Sequence, residues 1–570
     1  MSATSDADVR NEYGRTSMNK ELFGVFGPAD AFDRVRDRGE FDAVVEGPAV
    51  TVGLRAPGLD VPGRSSVWAD PGRACVLFGE AVRPSGPGAP ARQVLDRYGE
   101  VGVDAFAELN GSYLAVVDVD GAARVVTDPI RSWECYYADV DGVRVFGTDV
   151  SAVRGLLENP TVDRMAVLEM LHLGTVLGEA TLFEEVRRVP FDGTLTASGV
   201  DSLSRFVYDP REFDHEGQLA ERLSRAIRRR DHYPGRHGLL LSGGQDSRVF
   251  LSTLPGVETT YTIGRPDSRE VRVARRVAAQ YGAAHRALEP GSRYLYPSDE
   301  KVLYGQGVKE ALHIHHAGYD DELDADVMYH GLLFDTLFKG YFLERDGLSV
   351  FGSQLPSDSL ASDPDPVPSL LDTLGFLPDG SRRLADAVTP LFEDAGVDVD
   401  LTLPAPRAFL RERMEAELET CWERADSAHN ATDLLVIKNQ PVLPFRTHLA
   451  DNYFEAFVAA DADLLAWHLA TPPAERNGTT FRRALTRLDD DILRYRPPSQ
   501  PHASTRLNQL ERFVRRKVPF VERFEPAWPD RQDLYEETRL AERLFPEHGA
   551  VHELPARQQL RVNDVRWWLS

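Results

Sequence analysis

The stretch LLLSGGQDSRVF, Leu239 to Phe250, constrains the fold more than any other part of this chain. Its apolar residues Leu239 to Leu241 predict the end of a buried parallel strand. Ser242, Gly243 and Gly244 predict a tight turn, and Asp246 and Ser247 the opening of a helix. A glycine turn between strand and helix leaves backbone N–H groups and a helix N-terminus facing an anion, with no Cβ in the way. A carboxylate next to that anion makes chemical sense when a divalent cation arrives with the phosphate. No Lys-Ser or Lys-Thr pair follows the glycines, so this is not a Walker loop. A plain strand-to-helix turn accounts for one glycine but not for the whole run.

The flanking pattern agrees. From about Glu216, helix and strand alternate: LAERLSRAIRRR as a helix, GLLLS as a strand, DSRVFLSTL opening a helix, TTYTIG as a strand and SREVRVARRVAAQYG as a long helix. That order predicts an α/β doubly wound parallel sheet with its ligand at the carboxyl ends of the strands. Leu22 to about Val207 is instead β-rich, with short runs (ACVLFG, SYLAVVDV, ARVVT, VRVFGT) between Gly, Pro and Asp turns. Helices are expected there near Val94 to Leu109 and Val162 to Leu173. Residues 353–407, rich in Pro, Asp and Ser, read as an insertion or lid, and residues 408–495 as mostly helical. The predicted division is a disordered tail over 1–20, a first domain over 21–208, a second over 209–497 and a helical extension over 498–570 that ends in Trp567 and Trp568.

At 570 residues the chain is too long for one core. Ninety acidic residues against 65 basic ones give a net charge of −25, and lysine is confined to Lys20, Lys301, Lys309, Lys339, Lys438 and Lys517. An acid surplus with so little lysine resembles the surface of a protein from a salt-accumulating halophile, where salt screens the self-repulsion. It disfavours nucleic acid as a partner, which needs a basic footprint. No stretch has the apolar length of a membrane span, and the start MSATSDADVR has no secretory pattern. Cys75, Cys135 and Cys421 fit neither a disulfide framework nor a zinc site, so a cytoplasmic protein is expected.

Ser242-Gly-Gly-x-Asp-Ser247 resembles the pyrophosphate-binding loop of the ATP pyrophosphatases, which cleave ATP to AMP and pyrophosphate. Further landmarks in order resemble the asparagine synthetases: FGVFG (Phe23 to Gly27), LNGSYLAVVD (Leu109 to Asp118), TDPIRSWECYY (Thr127 to Tyr137), TLFEEVRRVPFDGT (Thr181 to Thr194), YTIGRPDSREVRVARR around Ile263 and Glu270, and HGLLFDTLFKGY (His330 to Tyr341). The resemblance covers roughly Phe23 to Tyr495. It implies an α+β glutaminase-like sandwich of Ntn-hydrolase type, then an ATP-pyrophosphatase domain with a helical C-terminal part and, as one oligomeric option, a homodimer. Leu241, Ile263 and Gly331 would border adenine and ribose, and Ser242, Gly243, Gly244 and Ser247 would hold phosphates. Asp246 and Asp335 would ligate Mg²⁺ as ATP activates a small carboxylate for attack by ammonia or an amine.

Several positions depart from that pattern. Phe23 stands where the family has its nucleophilic N-terminal cysteine, and Phe78 and Arg83 replace two glutamine-binding asparagines, so the first domain is expected to be inactive as a glutaminase. Leu332 replaces the glutamate that deprotonates ammonia, and Thr336 a second acidic residue. The late lysine is missing near 476–482; of the nearby arginines Arg476, Arg482 and Arg483, Arg482 is the candidate catalytic cation. Glu310, His313, His315 and His316 are candidates for the replacement base, and the histidine run HIHH also raises the option of a metal site. The acceptor stays open between aspartate, a uronic acid and a β-lactam synthetase-like ring closure. Two other readings are a degenerate nucleotide-binding protein and a tRNA-modifying pyrophosphatase, the latter opposed by the acidic balance.

Overall fold

The computed structural model describes residues 17–82, 90–350, 353–376, 381–498, 500–502, 507–508, 510–511, 514–515 and 528–570. Two six-stranded antiparallel sheets form the N-terminal part. One is centred on Glu21–Phe26, which pairs with Val50–Arg55 on one side and Val143–Gly147 on the other. The other is built around Arg73–Gly79 and Tyr113–Val119. Alternating side chains of both, among them Leu22, Val52, Leu54, Val76, Phe78, Leu114 and Phe146, share one apolar core, so the sheets lie face to face. Each such fully buried side chain stabilises the sandwich by roughly 1.5–3 kcal/mol.

The later sheet is parallel, with strands β1 (His237–Leu240), β2 (Val257–Ile263), β3 (Ala284–Leu288), β4 (Val327–Tyr329) and β5 (Phe454–Ala456) in the spatial order β3-β2-β1-β4-β5. Helix α1 (His215–Arg228) precedes it, capped by Asp214, and buries Leu219, Ala220, Leu223, Ala226 and Ile227 on one stripe. Helix α2 (Arg248–Thr253) follows β1, α3 (Arg269–Gln280), capped by the Ser268 hydroxyl, follows β2 and buries Val271, Ala274, Val277 and Ala278, and α4 (Asp299–Gly305) lies between β3 and β4. Strand order reverses between β1 and β4, which opens a crevice at their carboxyl ends, where the doubly wound reading expects a ligand.

Three particulars differ from the sequence reading. Residues 1–16 of the expected tail lie outside the described residues, but 17–20 are fastened: Met18 is buried, and the backbone N–H groups of Asn19 and Lys20 donate to Asp451 at 2.9 and 2.7 Å. The 353–407 segment begins with a strand, Ser353–Leu360, that pairs with Arg345–Val350 in an antiparallel hairpin; its Pro and Ser content hid this. The stretch near Val94 to Leu109 is an α-helix only over Pro90–Val101 and continues as 3₁₀ turns over Gly102–Glu108. Gly102, at φ +62, marks the change.

Candidate functional site

The loop after β1 is held by its own hydroxyls. The Ser242 N–H donates to Ser247 Oγ at 3.1 Å, the Gly244 N–H to Ser242 Oγ at 3.2 Å, and the Gly243 N–H to Glu270 Oε1 of α3 at 2.6 Å. Fully buried Arg248 fixes the carbonyls: its guanidinium donates to Gly243 O at 2.7 Å and Ile492 O at 3.1 Å, and also contacts Tyr495 O. A Cβ at Gly243 would lie 3.0 Å from Glu270 and 3.1 Å from Pro498. At Gly331, just after β4, a Cβ would lie 3.0 Å from that of Asp246. Both glycines are there for close approach, the second because two loops meet in the crevice.

The turn from β4 runs through Leu333, a non-glycine residue at φ +68, into α5 (Phe334–Lys339). Backbone strain of this kind costs about 1–3 kcal/mol and collects at functional sites. One turn apart on α5 stand Asp335 and Lys339. The Lys339 ammonium contacts the Asp246 carboxylate, lies 2.8 Å from Asp335 Oδ1 and sits 5.0 Å over the Phe481 ring. Burial pushes the Asp246 carboxyl up to about 6, with Lys339 opposing and the charge of Asp335 adding. Burial also works against the Lys339 ammonium, but Asp246 and Asp335 outweigh it and its pKa is raised. Two carboxylates around one cation, beside a phosphate-type loop, form a donor set that suits Mg²⁺ together with phosphate oxygens.

Leu241, Ser242, Gly244, Asp246, Ser247, Ile263, Gly331 and Asp335 all line one cavity of about 550 Å³, a volume typical of small-molecule sites. Gly243 belongs to the same loop without lining it. Arg482 is a correction: on α7 (Gly478–Leu488) the buried stripe is Thr480, Phe481, Ala484 and Leu485, and Arg482 is not on the cavity wall. It is Phe481 that reaches the site from α7, and Lys339 is the cation on the two carboxylates. Asp335-x-x-x-Lys339, one helical turn apart in a chain with six lysines, was the signal that could have found it.

The remaining wall carries Leu332, His313, His315, His316, His330, Phe445, Trp528 and Arg531. Burial holds His315 and His316 well below the usual imidazole range and lowers His313, so these rings are neutral near pH 7. His330 Nε2 lies 2.9 Å from Glu455, whose carboxylate also takes a two-pronged ion pair from Arg446. Glu310 is removed as a candidate base. Despite burial, Arg561 and Arg557 hold its carboxyl well below the carboxylate range, and it does not line the cavity. Those arginines stand on α8 (Ala556–Leu569), where Asp564 also accepts the Ala311 N–H at 2.9 Å. The C-terminal helix thereby fastens the segment that bears the histidines. Trp528, whose ring is 4.6 Å from His315, and Arg531 bring the extension into the cavity itself, which the sequence reading did not foresee.

The HIHH run forms no metal cluster with any of the described residues. Among the described residues, ligand atoms with metal-type spacing belong to Glu300, Asp320 and His448, all within 4.8 Å of one another. In the N-terminal sandwich, Phe23 is fully buried in a doubly paired strand, its ring 5.9 Å from Phe32 and 4.8 Å from the Arg36 guanidinium. Phe78 packs against Trp133 at 4.6 Å, and Arg83 lies outside the described residues.

Residues 218–370 match the family model described as asparagine synthase. None of the curated proteins matches the chain. Among solved structures, one titled as the allosteric regulatory enzyme of purine biosynthesis is 10% identical, covering 49% of this chain and 76% of that one, with a TM-score of 0.21. Another, the glutamine phosphoribosylpyrophosphate amidotransferase from B. subtilis complexed with ADP and GMP, is 11% identical, covering 48% of this chain and 60% of that one, with a TM-score of 0.20. Likenesses this low carry no argument about the chain.

Proposed function

We propose that this chain, whose residues 218–370 match the asparagine synthase family model, is an ATP-dependent amide ligase that adenylates a small carboxylate and hands the acyl group to ammonia or an amine, releasing AMP and pyrophosphate. The observation that carries the reading is the meeting of the Ser242–Ser247 loop with Asp246, Asp335 and Lys339 on one cavity wall. Asp246 and Asp335 would hold Mg²⁺, which supplies charge neutralisation to the phosphates. Leu241 and Ile263 offer apolar surface to the base, and Gly331 leaves room beside it. The loop hydroxyls and the Lys339 ammonium stabilise charge on the phosphates as the substrate carboxylate attacks the α-phosphorus. Arg531, at the other wall, is the cation offered to an acidic substrate.

The N-terminal sandwich, read as an Ntn-type glutaminase fold, has no nucleophile at Phe23 and an aromatic plug at Phe78. Ammonia or an amine is therefore the nitrogen source, and glutamine is not hydrolysed. Exchange of labelled pyrophosphate into ATP, run across a panel of carboxylates that starts with L-aspartate, tests the reading, and Asp246→Ala is expected to abolish it. The Lys339 bridge favours one second reading, a nucleotide-binding protein in which the ammonium stands permanently in the cation's place. ATP binding without exchange on any carboxylate would select it.

A further inference from the structure

Leu332 on the cavity wall leaves the ligase reading without a group to take the proton of the attacking amine. A chain of three side chains ends at the same wall. His448, fully buried on the helix α6 (Leu443–Asn452), places Nε2 3.0 Å from Asp320 Oδ2 and Nδ1 3.0 Å from Nε2 of fully buried His316. Tyr453 donates to the other oxygen of Asp320 at 2.8 Å, which leaves that carboxylate oriented toward His448.

With both rings as neutral imidazoles, the protons in this chain have one consistent direction. A carboxylate only accepts, so His448 donates through Nε2–H. A neutral imidazole has one N–H, so His448 Nδ1 must accept, and His316 must donate through Nε2–H. What remains is the lone pair on His316 Nδ1. That atom is buried and has no hydrogen-bond partner among the described residues, while His316 itself lines the cavity. An unpartnered buried acceptor is a cost that calls for a donor, and an incoming amine brings one.

We propose that His316 is the general base for amide formation, with His448 and Asp320 as the positioning residues that aim its free Nδ1 lone pair. This rests on the ligase reading above. As the amine nitrogen bonds to the acyl carbon and the bond from that carbon to the AMP oxygen breaks, one amine N–H proton passes to His316 Nδ1. The resulting positive charge is stabilised along the chain as the Nε2 proton shifts toward His448, and Asp320, one-third exposed, gives it a way to solvent. Burial favours the neutral ring that this role needs at the outset. Among the described residues, the charged or titratable groups around the chain are Lys301, His315 and His330 beside His316, and Glu300, Asp451, Tyr304 and Tyr453 about His448 and Asp320.

Nitrogen NMR of the ¹⁵N-histidine-labelled full chain tests this without any substrate. Expected are His316 and His448 both in the Nε2–H form, assigned by the loss of their signals in His316→Gln and His448→Gln. A His316 ring protonated at Nδ1 overturns the proposal, and so does a His448 signal shifted by a retained metal ion and restored by chelator, which would make Glu300, Asp320 and His448 a metal site. In turnover with ammonium chloride, the ratio of amide formation to pyrophosphate exchange should fall about 10²-fold or more in His316→Gln. Asp320→Asn, at a partly exposed residue, should lower that ratio through kcat while KM for ATP stays put. Exchange in the wild type with an unchanged ratio in both variants defeats the base assignment alone; absence of exchange in the wild type defeats the ligase reading instead.

Discussion

Replacing Asp246 by Asn separates a functional carboxylate from a structural one, because the two make opposite predictions for stability. The folded chain raises the carboxyl from 3.8 to about 6, chiefly through burial. At 1.36 kcal/mol per pKa unit, a gap of roughly two units makes ionised Asp246 cost about 3 kcal/mol in the fold. The sign follows from the raised folded pKa. Below 3.8 the group is protonated in both states and contributes nothing; the cost grows as pH rises through the window from 3.8 to 6 and is complete above it. Asn has the shape without the charge, so Asp246→Asn should remove that cost, which is already net of the opposing Lys339 ammonium. The gain is on the order of 2–3 kcal/mol near pH 7, fading toward pH 4. Calorimetric unfolding without nucleotide, at pH 7 and near pH 4.5, reads the difference as a higher Tm for the variant that is larger at the upper pH. ATP with Mg²⁺ should stabilise the wild type and not the variant. A variant less stable than the wild type at pH 7 would show that the Asp246–Lys339 pair holds the fold together, and the reasoning that makes it a ligand site would fail.

Gly331→Ala pushes a methyl to within 3.0 Å of the Asp246 Cβ, and should cut pyrophosphate exchange at least about tenfold with little loss in Tm, the signature of a displaced carboxylate. Arg561→Met leaves the buried Glu310 carboxylate with one arginine, Arg557, beside the 3.2 Å contact from His313, so denaturant unfolding should show a loss of about 3–5 kcal/mol; an unchanged midpoint would mean that α8 does not anchor the histidine segment. Glutamine in place of ammonium should give no product, and Phe23→Cys should not restore hydrolysis, because that position stays in a strand paired on both sides; ammonia release would refute it. With a net charge of −25, Tm should climb as salt goes from about 0.1 M to about 1 M and the Debye length shrinks from ~10 to ~3 Å; a flat response would remove the argument for a salt-adapted surface.

The half of the cavity proposed for the nucleotide was legible because its residues are local in the sequence. Six consecutive residues, Ser242 to Ser247, carry the loop, and the switch between period-2 and period-3.6 patterns carries the alternation of parallel strands and helices around it. Arg482 was named because a missing lysine was sought at its expected position, whereas the cation set against Asp246 and Asp335 is Lys339, one turn from Asp335 on a different helix. The far wall was hidden for another reason. His316, His448 and Asp320 are 132 and 128 residues apart in their two contacts, and Trp528 and Arg531 come from an extension whose composition gives no periodic signal. Long-range contacts between single polar side chains leave no mark on a linear pattern. Phe23 is the converse case: its chemistry was read from one residue, and the structure added that its ring fills a core position between Phe32 and Arg36.

Incorporation of labelled pyrophosphate into ATP, measured with Mg²⁺ at high salt over a carboxylate panel, tests the central claim most directly. The account predicts exchange that depends on one class of small carboxylate and is lost in Asp246→Ala. ATP that binds in the 550 Å³ cavity yet exchanges with no carboxylate would contradict it.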